Sequence, residues 1–398
     1  MDKTIEKLKI DPYVLLIVSG WGYNGFIYYI NTVIRLMCNS IIANISTIIY
    51  FVLLFVLSFK RFSRNLRGRD LLIYPLFFAI VCVSYIFNVQ NRVNISSHIL
   101  DLFFLVIPCY FLGLNIDASE KTMIALFEMS KLVIIVNWCY VFVILGTGRE
   151  MQSDNLAIAY MVLPHTLMAI WFMLRSKTIK NIFFSVIGCV FIFLMGSRGP
   201  LLSIVVFFSI WVLFKSINSS IWKKMTLLLS IVLIVLFINS EYFYFFLEFL
   251  RDKAAALNMS TRIVDSVLYG AADGSNRERM IIYGIMWSYI KKNPFLGYGI
   301  YGEWMMINYS AHNMLLELFT HYGVVVGSFL AFLLLGKIIV TVRQTSNIYA
   351  RGFILVMFCF GIVRGIYAGT YLSDYFFLLI GFLVGQGRII RQERRLSL

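Results

Sequence analysis

The chain has 398 residues, of which 60% are hydrophobic and 17% aromatic, whereas only 14% are charged. These values lie far outside the usual range for a soluble domain of this length and indicate a membrane protein. The formal net charge of +15 is typical of the Lys and Arg bias of cytoplasmic loops and of contact with anionic lipid, so it is no evidence for nucleic-acid binding.

Apolar runs separated by short polar breaks recur along the whole chain. Because a bilayer core about 30 Å thick needs about 20 apolar residues per helix, the sequence predicts about twelve transmembrane helices. The fold class is therefore all-α, with residues 1–398 forming a single polytopic membrane domain. The predicted spans are residues 13–33, 41–59, 71–89, 98–115, 123–145, 154–174, 181–196, 201–214, 225–240, 312–335, 352–366 and 374–387.

The distribution of basic residues predicts the orientation of these spans. With the N-terminus inside, most Lys and Arg residues fall in cytoplasmic segments, and the short outer loops hold only Arg35, Arg92, Arg149 and Arg198. Both termini are therefore predicted to be cytoplasmic.

Residues 241–311 form a predicted outer loop that is much longer than typical connections, and this length favours a functional segment over a simple linker. Within it, Ser275 and Glu278 have the spacing of a capping box and predict a mostly apolar helix that ends at Asn293-Pro294. Gly297-Tyr298-Gly299 then permits tight turns. Tyr298 is a candidate for a saccharide wall or, equally, for an interfacial anchor.

Three arginines and one histidine are predicted to converge at the outer boundary of the membrane. Arg198 lies in the short turn between two spans, where the alternative is an anchor at the lipid headgroups. Arg279 begins the loop helix. Arg364 lies near the outer end of a span, where it can instead pair with a helix carbonyl or with Asp374.

His312 is the candidate general base, because a neutral imidazole can remove a proton from a sugar hydroxyl. A histidine at a helix start is more often structural, but this one follows the long outer loop. Asn313 and Glu317 share a helix face through their four-residue spacing, whereas Glu317 lies round the helix from His312. Asn313 and Glu317 are therefore candidates for supporting roles.

These motifs resemble the bacterial O-antigen polymerase and O-antigen ligase superfamily. The residues that carry the resemblance are Arg198 in Gly196-Ser197-Arg198-Gly199-Pro200, Arg279 before Asn293-Pro294, Gly297-Tyr298-Gly299, and Ala311-His312-Asn313. Tyr283 stands where the family pattern commonly has tryptophan, which leaves the register intact. The resemblance implies that the arginines hold a polyprenyl diphosphate and that His312 activates the acceptor hydroxyl, whereas Arg364 has no firm counterpart.

The resemblance implies a glycosyltransferase in the bacterial cytoplasmic (inner) membrane, with its active site on the periplasmic side. The expected donor is an undecaprenyl-diphosphate-linked oligosaccharide, and other expected partners are membrane lipids and, as a candidate, a chain-length regulator. We expect no cofactor and no metal, because guanidinium groups can stabilise a diphosphate leaving group. A polymerase is favoured. The alternatives are an O-antigen ligase that acts on lipid A core, a lipid-linked oligosaccharide flippase or transporter, and a structural scaffold.

Overall fold

The computed structural model describes residues 11–21, 25–63, 66–146, 155–217, 241–256, 261, 264–265, 268 and 274–396. These residues are mostly helical, and no β-strand occurs among them. The α-helices, numbered in chain order, are α1 Pro12–Ser19, α2 Gly25–Met37, α3 Ser40–Ser63, α4 Ile73–Phe87, α5 Arg92–Asp101, α6 Ile107–Leu114, α7 Glu120–Gly146, α8 Asn155–Arg175, α9 Ile179–Leu194, α10 Arg198–Ile217, α11 Glu241–Ala256, α12 Gly274–Lys292, α13 Gly302–Ile307, α14 Met314–Gln344, α15 Ile348–Met357, α16 Arg364–Ala368 and α17 Asp374–Leu396.

Within the described part of the chain, seven helical segments are long and apolar enough to cross a membrane. They coincide with the predicted spans 41–59, 71–89, 98–115, 123–145, 154–174, 312–335 and 352–366. Some of these helices expose large apolar side chains, as Ile41, Ile45 and Val52 of α3 do, which suits a surface that faces lipid. The all-α, multi-pass membrane class is therefore confirmed.

The remaining predicted spans have different outcomes. Span 13–33 is wrong as a single helix, because α1 ends at Ser19 and a separate helix, α2, begins at Gly25. The amide of Gly20, the C-cap residue of α1, donates to the Leu16 carbonyl. Spans 181–196 and 201–214 are the short apolar helices α9 and α10, and span 374–387 is part of the longer α17. Span 225–240 lies outside the described residues, so the total of about twelve stays a prediction.

The chain divides into two compact units, one formed by residues 1–133 and 281–398 and the other by residues 134–280. The predicted loop 241–311 contains α11, α12 and α13 in its described residues. Its extracytoplasmic position and the single-domain organisation stay predictions.

In the unit of residues 1–133 and 281–398, glycines let α6 and α17 approach each other closely. A Cβ atom at Gly381 would lie 1.9 Å from the Tyr110 carbonyl oxygen, and one at Gly113 would lie 2.1 Å from the Leu378 carbonyl oxygen. Any larger side chain would clash with backbone there. Small residues at membrane helix interfaces permit this kind of packing, which supplies van der Waals contact in place of a hydrophobic driving force.

In the unit of residues 134–280, α8 packs on both α9 and α10. Gly188 of α9 faces Thr166 of α8, and a Cβ atom at Gly188 would lie 2.6 Å from the threonine hydroxyl oxygen. The indole N–H of Trp138 donates to the Ile187 carbonyl at 3.1 Å. The tight turn Met195–Ser197 joins α9 to α10 and brings Arg198 to the first position of α10.

Candidate functional site

Arg198 and Arg279 both belong to the unit of residues 134–280. Gly196 makes the turn before Arg198 with a φ of 69°, a left-handed conformation that glycine adopts without strain. The Arg198 side chain is half-buried, and its Nε atom is fully buried. Arg279 is half-buried on α12, which ends directly before Asn293-Pro294 as the sequence predicts.

The turn after α12 fits into a break in α14 at Gly323, whose φ is 77° and ψ is 165°. The amide of Tyr298 donates to the Thr320 carbonyl at 2.7 Å, and the amide of Gly299 donates to the His321 carbonyl at 3.0 Å. The carbonyls at the break of α14 are thereby satisfied from outside the helix. Gly297 and Gly299 therefore let the backbone of this turn lie directly against the backbone of α14.

Gly297 and Gly323 are required at this junction for two reasons. Both have a positive φ, and a Cβ atom at Gly297 would lie 2.6 Å from the Gly323 nitrogen. The Tyr298 hydroxyl donates to the Tyr289 carbonyl at 3.0 Å, and burial raises the pKa of Tyr298. Tyr298 is thus fixed between α12 and the turn.

His312 lies in the connection between α13 and α14, directly before the cap of α14. Its side chain is exposed, and its φ is 51°. Asn313 is the N-cap residue of α14, because its side-chain oxygen accepts from the amides of Leu315 and Leu316, both at 3.1 Å. The cap fixes the start of the helix immediately beside the histidine.

Glu317 supports the His312 connection through Ser310. The Ser310 hydroxyl donates to Oε1 of Glu317 at 2.8 Å, and the His312 amide donates to the Ser310 hydroxyl at 3.3 Å. The Glu317 carboxyl group is completely buried, and it also faces the Thr370 hydroxyl and the Tyr371 amide. Glu317 therefore ties the His312 connection to the connection between α16 and α17.

His321 is the centre of a buried polar network in the same unit. Its Nε2 atom is hydrogen-bonded to Glu303 of α13, and its Nδ1 atom lies 2.6 Å from the Tyr371 hydroxyl. The Tyr371 hydroxyl in turn donates to the Tyr322 hydroxyl at 3.0 Å. Glu303, His321 and Tyr371 are each 5% exposed or less, so the network is shielded from solvent.

Proton accounting defines the roles in this network. Burial raises the pKa of Tyr371 far above its usual value, so the phenol keeps its proton at neutral pH. Because that proton is donated to Tyr322, the Tyr371 hydroxyl accepts from Nδ1–H of His321. The network joins α13, α14 and the connection before α17.

Arg364 begins α16 and packs against aromatic rings. Its guanidinium carbon lies 4.6 Å from the ring centroid of Tyr375 and 5.0 Å from that of Phe360. A Cβ atom at the neighbouring Gly365 would lie 3.3 Å from the Met314 sulfur. Because Met314 begins α14, the start of α16 is next to the helix end that follows His312.

The structure thus brings several predicted site residues together in one unit. His312, Asn313 and Glu317 share one end of α14, Arg364 follows in the helix packed against that end, and Tyr298 contacts the break of α14. Arg198 and Arg279 lie in the other unit.

Sequence reasoning assigned no role in the site to four residues: Ser310, Glu303, His321 and Tyr371. One signal was available, because His321 follows Glu317 by four residues and so shares its helix face. Tyr371 is 50 residues from its partner His321, and no local pattern marks such a contact.

These features define an all-helical, multi-pass membrane protein. At one end of its long helix α14, the buried Glu317 holds the connection that carries His312 through the Ser310 hydroxyl. Residues 183–331 match the family model described as O-Antigen ligase. The resemblance to the O-antigen polymerase and ligase superfamily is therefore confirmed over this segment. Members of this superfamily are glycosyltransferase-like enzymes that act on lipid-linked polysaccharide substrates. No curated protein and no solved structure matches the chain.

Proposed function

We propose that this protein is an O-antigen polymerase, or a polymerase of a related surface polysaccharide. It transfers undecaprenyl-diphosphate-linked glycan to the acceptor sugar of another lipid-linked repeat unit, on the outer face of the bacterial cytoplasmic membrane. The observation that carries the proposal is the family match over residues 183–331, which contains Arg198, Arg279 and His312.

In this proposal His312 is the general base. It accepts the proton of an acceptor hydroxyl, whose oxygen attacks the anomeric carbon of the donor sugar. The bond from that carbon to the diphosphate oxygen breaks, and undecaprenyl diphosphate leaves. The exposure of the His312 side chain supports this role, since a base must reach its substrate.

Arg198 and Arg279 hold the diphosphate and stabilise the negative charge that develops as it leaves, and Arg364 assists them. Guanidinium groups bind phosphate oxygens in a bidentate manner and keep their charge at all relevant pH values. We propose that transfer needs no metal ion. The measurement is activity in the presence of a chelator, and strict dependence on added divalent metal would contradict this part of the proposal.

Two variants of His312 test the base. His312→Ala and His312→Asn both lack the imidazole, but asparagine tolerates the left-handed backbone at this position better than alanine does. We expect both variants to make no long glycan chains at normal membrane abundance. Long chains made by the asparagine variant would mean that only the backbone conformation matters, and the proposed base would be wrong.

An O-antigen ligase that transfers glycan to lipid A core is the alternative within the superfamily. Analysis of surface glycan from a deletion strain separates the two. Single repeats on the lipid anchor indicate a polymerase, whereas long polymer that remains on undecaprenyl diphosphate indicates a ligase. Loss of all surface glycan, with repeat units retained on the cytoplasmic face, would indicate a flippase instead.

A further inference from the structure

A second site lies in the unit of residues 1–133 and 281–398. It is a cavity of about 1080 Å³ bounded by the end of α3, the segment after α6 and the second half of α17.

This cavity and the His312 region lie at different ends of the unit. Tyr375 in the first turn of α17 contacts Arg364, next to the start of α14. Farther along α17, Gly387 contacts Lys337 near the end of α14, because a Cβ atom there would lie 2.7 Å from the lysine nitrogen. The axis of α17 separates Tyr375 from Arg388 by about 20 Å. The cavity is therefore separate from the candidate catalytic site.

Cations predominate on the cavity wall. Four basic residues line it, whereas Asp117 is the single lining residue with a carboxylate; the basic residues are Lys60, Arg61, Arg67 and Arg388. Lys60 and Arg67 are exposed. An anion in the cavity would therefore meet cationic side chains from three different parts of the chain.

Two of these arginines are held in place from outside the cavity. Arg61 donates to Asp11 at 2.5 Å and to the Thr122 hydroxyl at 3.1 Å. Arg388 makes a two-pronged ion pair with the buried Asp70. Such anchoring lowers the side-chain entropy that is lost when the guanidinium group binds a ligand.

Basic residues at the end of a membrane span are common and often only anchor the helix. Here they surround a cavity whose other walls are apolar, formed by Leu57, Leu114, Ile116 and Ile389. A basic rim above apolar walls fits a molecule with a phosphate group on a hydrocarbon body. Basic pockets between transmembrane helices are known to bind anionic lipid headgroups.

We propose that this cavity binds the phosphate group of an anionic membrane phospholipid, with the acyl chains along its apolar walls. The lipid headgroup is favoured over free phosphate because the apolar walls would otherwise stay in contact with water. The proposal does not depend on the proposed polymerase activity.

Native mass spectrometry of the purified full-length protein tests the proposal. The protein is equilibrated with equal amounts of phosphatidylglycerol and phosphatidylethanolamine in detergent, and the bound lipids are counted. We expect preferential retention of phosphatidylglycerol. Lys60→Ala/Arg67→Ala should lower it about tenfold, since each basic residue near an anionic headgroup contributes several-fold in affinity. Asp117→Asn should raise it, because a carboxylate on the wall is removed.

The matched control is Lys121→Ala/Arg343→Ala, which removes one lysine and one arginine that are exposed and do not line the cavity. It should retain lipid like the unaltered protein. Equal retention of the two lipids, or an equal loss in the control and the cavity variant, would overturn the proposal. Displacement of phosphatidylglycerol by millimolar inorganic phosphate, with phosphate bound in its place, would overturn the lipid assignment and indicate a soluble anion as the ligand.

Discussion

The backbone at His312 is held in a conformation that few side chains adopt. Tyr301, Asn308 and His312 all have a φ near 60° or 50°, and such residues persist only where the surroundings enforce them. At His312 the surroundings are Ser310, which contacts the buried Glu317, and the Asn313 cap. The position of the imidazole is therefore set by neighbours more than by local preference.

Loss of one partner of the buried network should destabilise the protein strongly. Glu303→Gln removes a carboxylate that is paired with His321, and breaking a buried pair costs about 3–5 kcal/mol. Tyr371→Phe leaves His321 without its second partner and costs about 1–3 kcal/mol. The measurement is the midpoint of thermal unfolding in detergent. Tyr309→Phe is the control, since Tyr309 is 42% exposed, and a drop as large as that of Tyr371→Phe would contradict the network.

The arginine at position 279 gives a second prediction at the residue scale. We expect Arg279→Lys to lose nearly as much activity as Arg279→Ala, because lysine keeps the charge but lacks the planar pair of donors. Glycan chain length at equal protein abundance is the measurement. Full activity of the lysine variant would rule out a bidentate contact with diphosphate.

Much of the candidate site could be predicted from local pattern, and the rest could not. His312, Asn313 and Glu317 were found because a triplet and a helical spacing are visible in the sequence. The role of Asn313 as a cap follows from the same local chemistry. The pairing of His321 with Glu303 and Tyr371 was not predicted, because it depends on how three separate segments pack.

At the scale of elements, the contact between α6 and α17 depends on glycine. Gly381→Ala should destabilise the protein by several kcal/mol, because its Cβ would overlap the Tyr110 carbonyl. Gly336→Ala is the matched control: Gly336 also lies in a helix, and no atom lies within 4 Å of a Cβ atom built there. Alanine should be neutral or stabilising at position 336, by up to about 1 kcal/mol.

Thermal unfolding of both glycine variants in the same detergent is the measurement. Similar midpoints for the two would mean that α6 and α17 do not pack through their backbones.

The sequence predicted that most of the helices exist, but it predicted their ends and internal breaks less well. The predicted span 312–335 corresponds to α14, which continues to Gln344 and includes the further apolar residues Ile338, Ile339 and Val340 beyond Lys337. The break at Gly323 was missed, since a single glycine inside an apolar run does not by itself mark one. The break depends on a contact with another segment, because the Val324 amide donates to the Pro294 carbonyl, outside its own helix.

At the scale of the whole molecule, the orientation in the membrane is the main prediction. Charge bias predicts that Tyr309 is outside and that Ser346, after α14, is inside. Both residues are exposed. We expect an impermeant thiol reagent to label Tyr309→Cys in intact cells and Ser346→Cys only after lysis.

The labelling background must lack the exposed native cysteines Cys38 and Cys139, which are replaced by serine. Labelling of Ser346→Cys alone in intact cells would indicate the opposite orientation. Labelling of both positions in intact cells would contradict the prediction that α14 separates an outer residue from an inner one.

The π-helical segment Phe358–Val363 determines the direction in which Arg364 points. A π-helix contains an additional residue relative to an α-helical path. If the same six residues formed a regular α-helix, which turns by about 100° per residue, everything after them would be rotated by roughly the turn of one residue. The guanidinium group would then turn away from the ring of Tyr375, which belongs to α17. The π-helical conformation of this short segment therefore sets the orientation of the arginine.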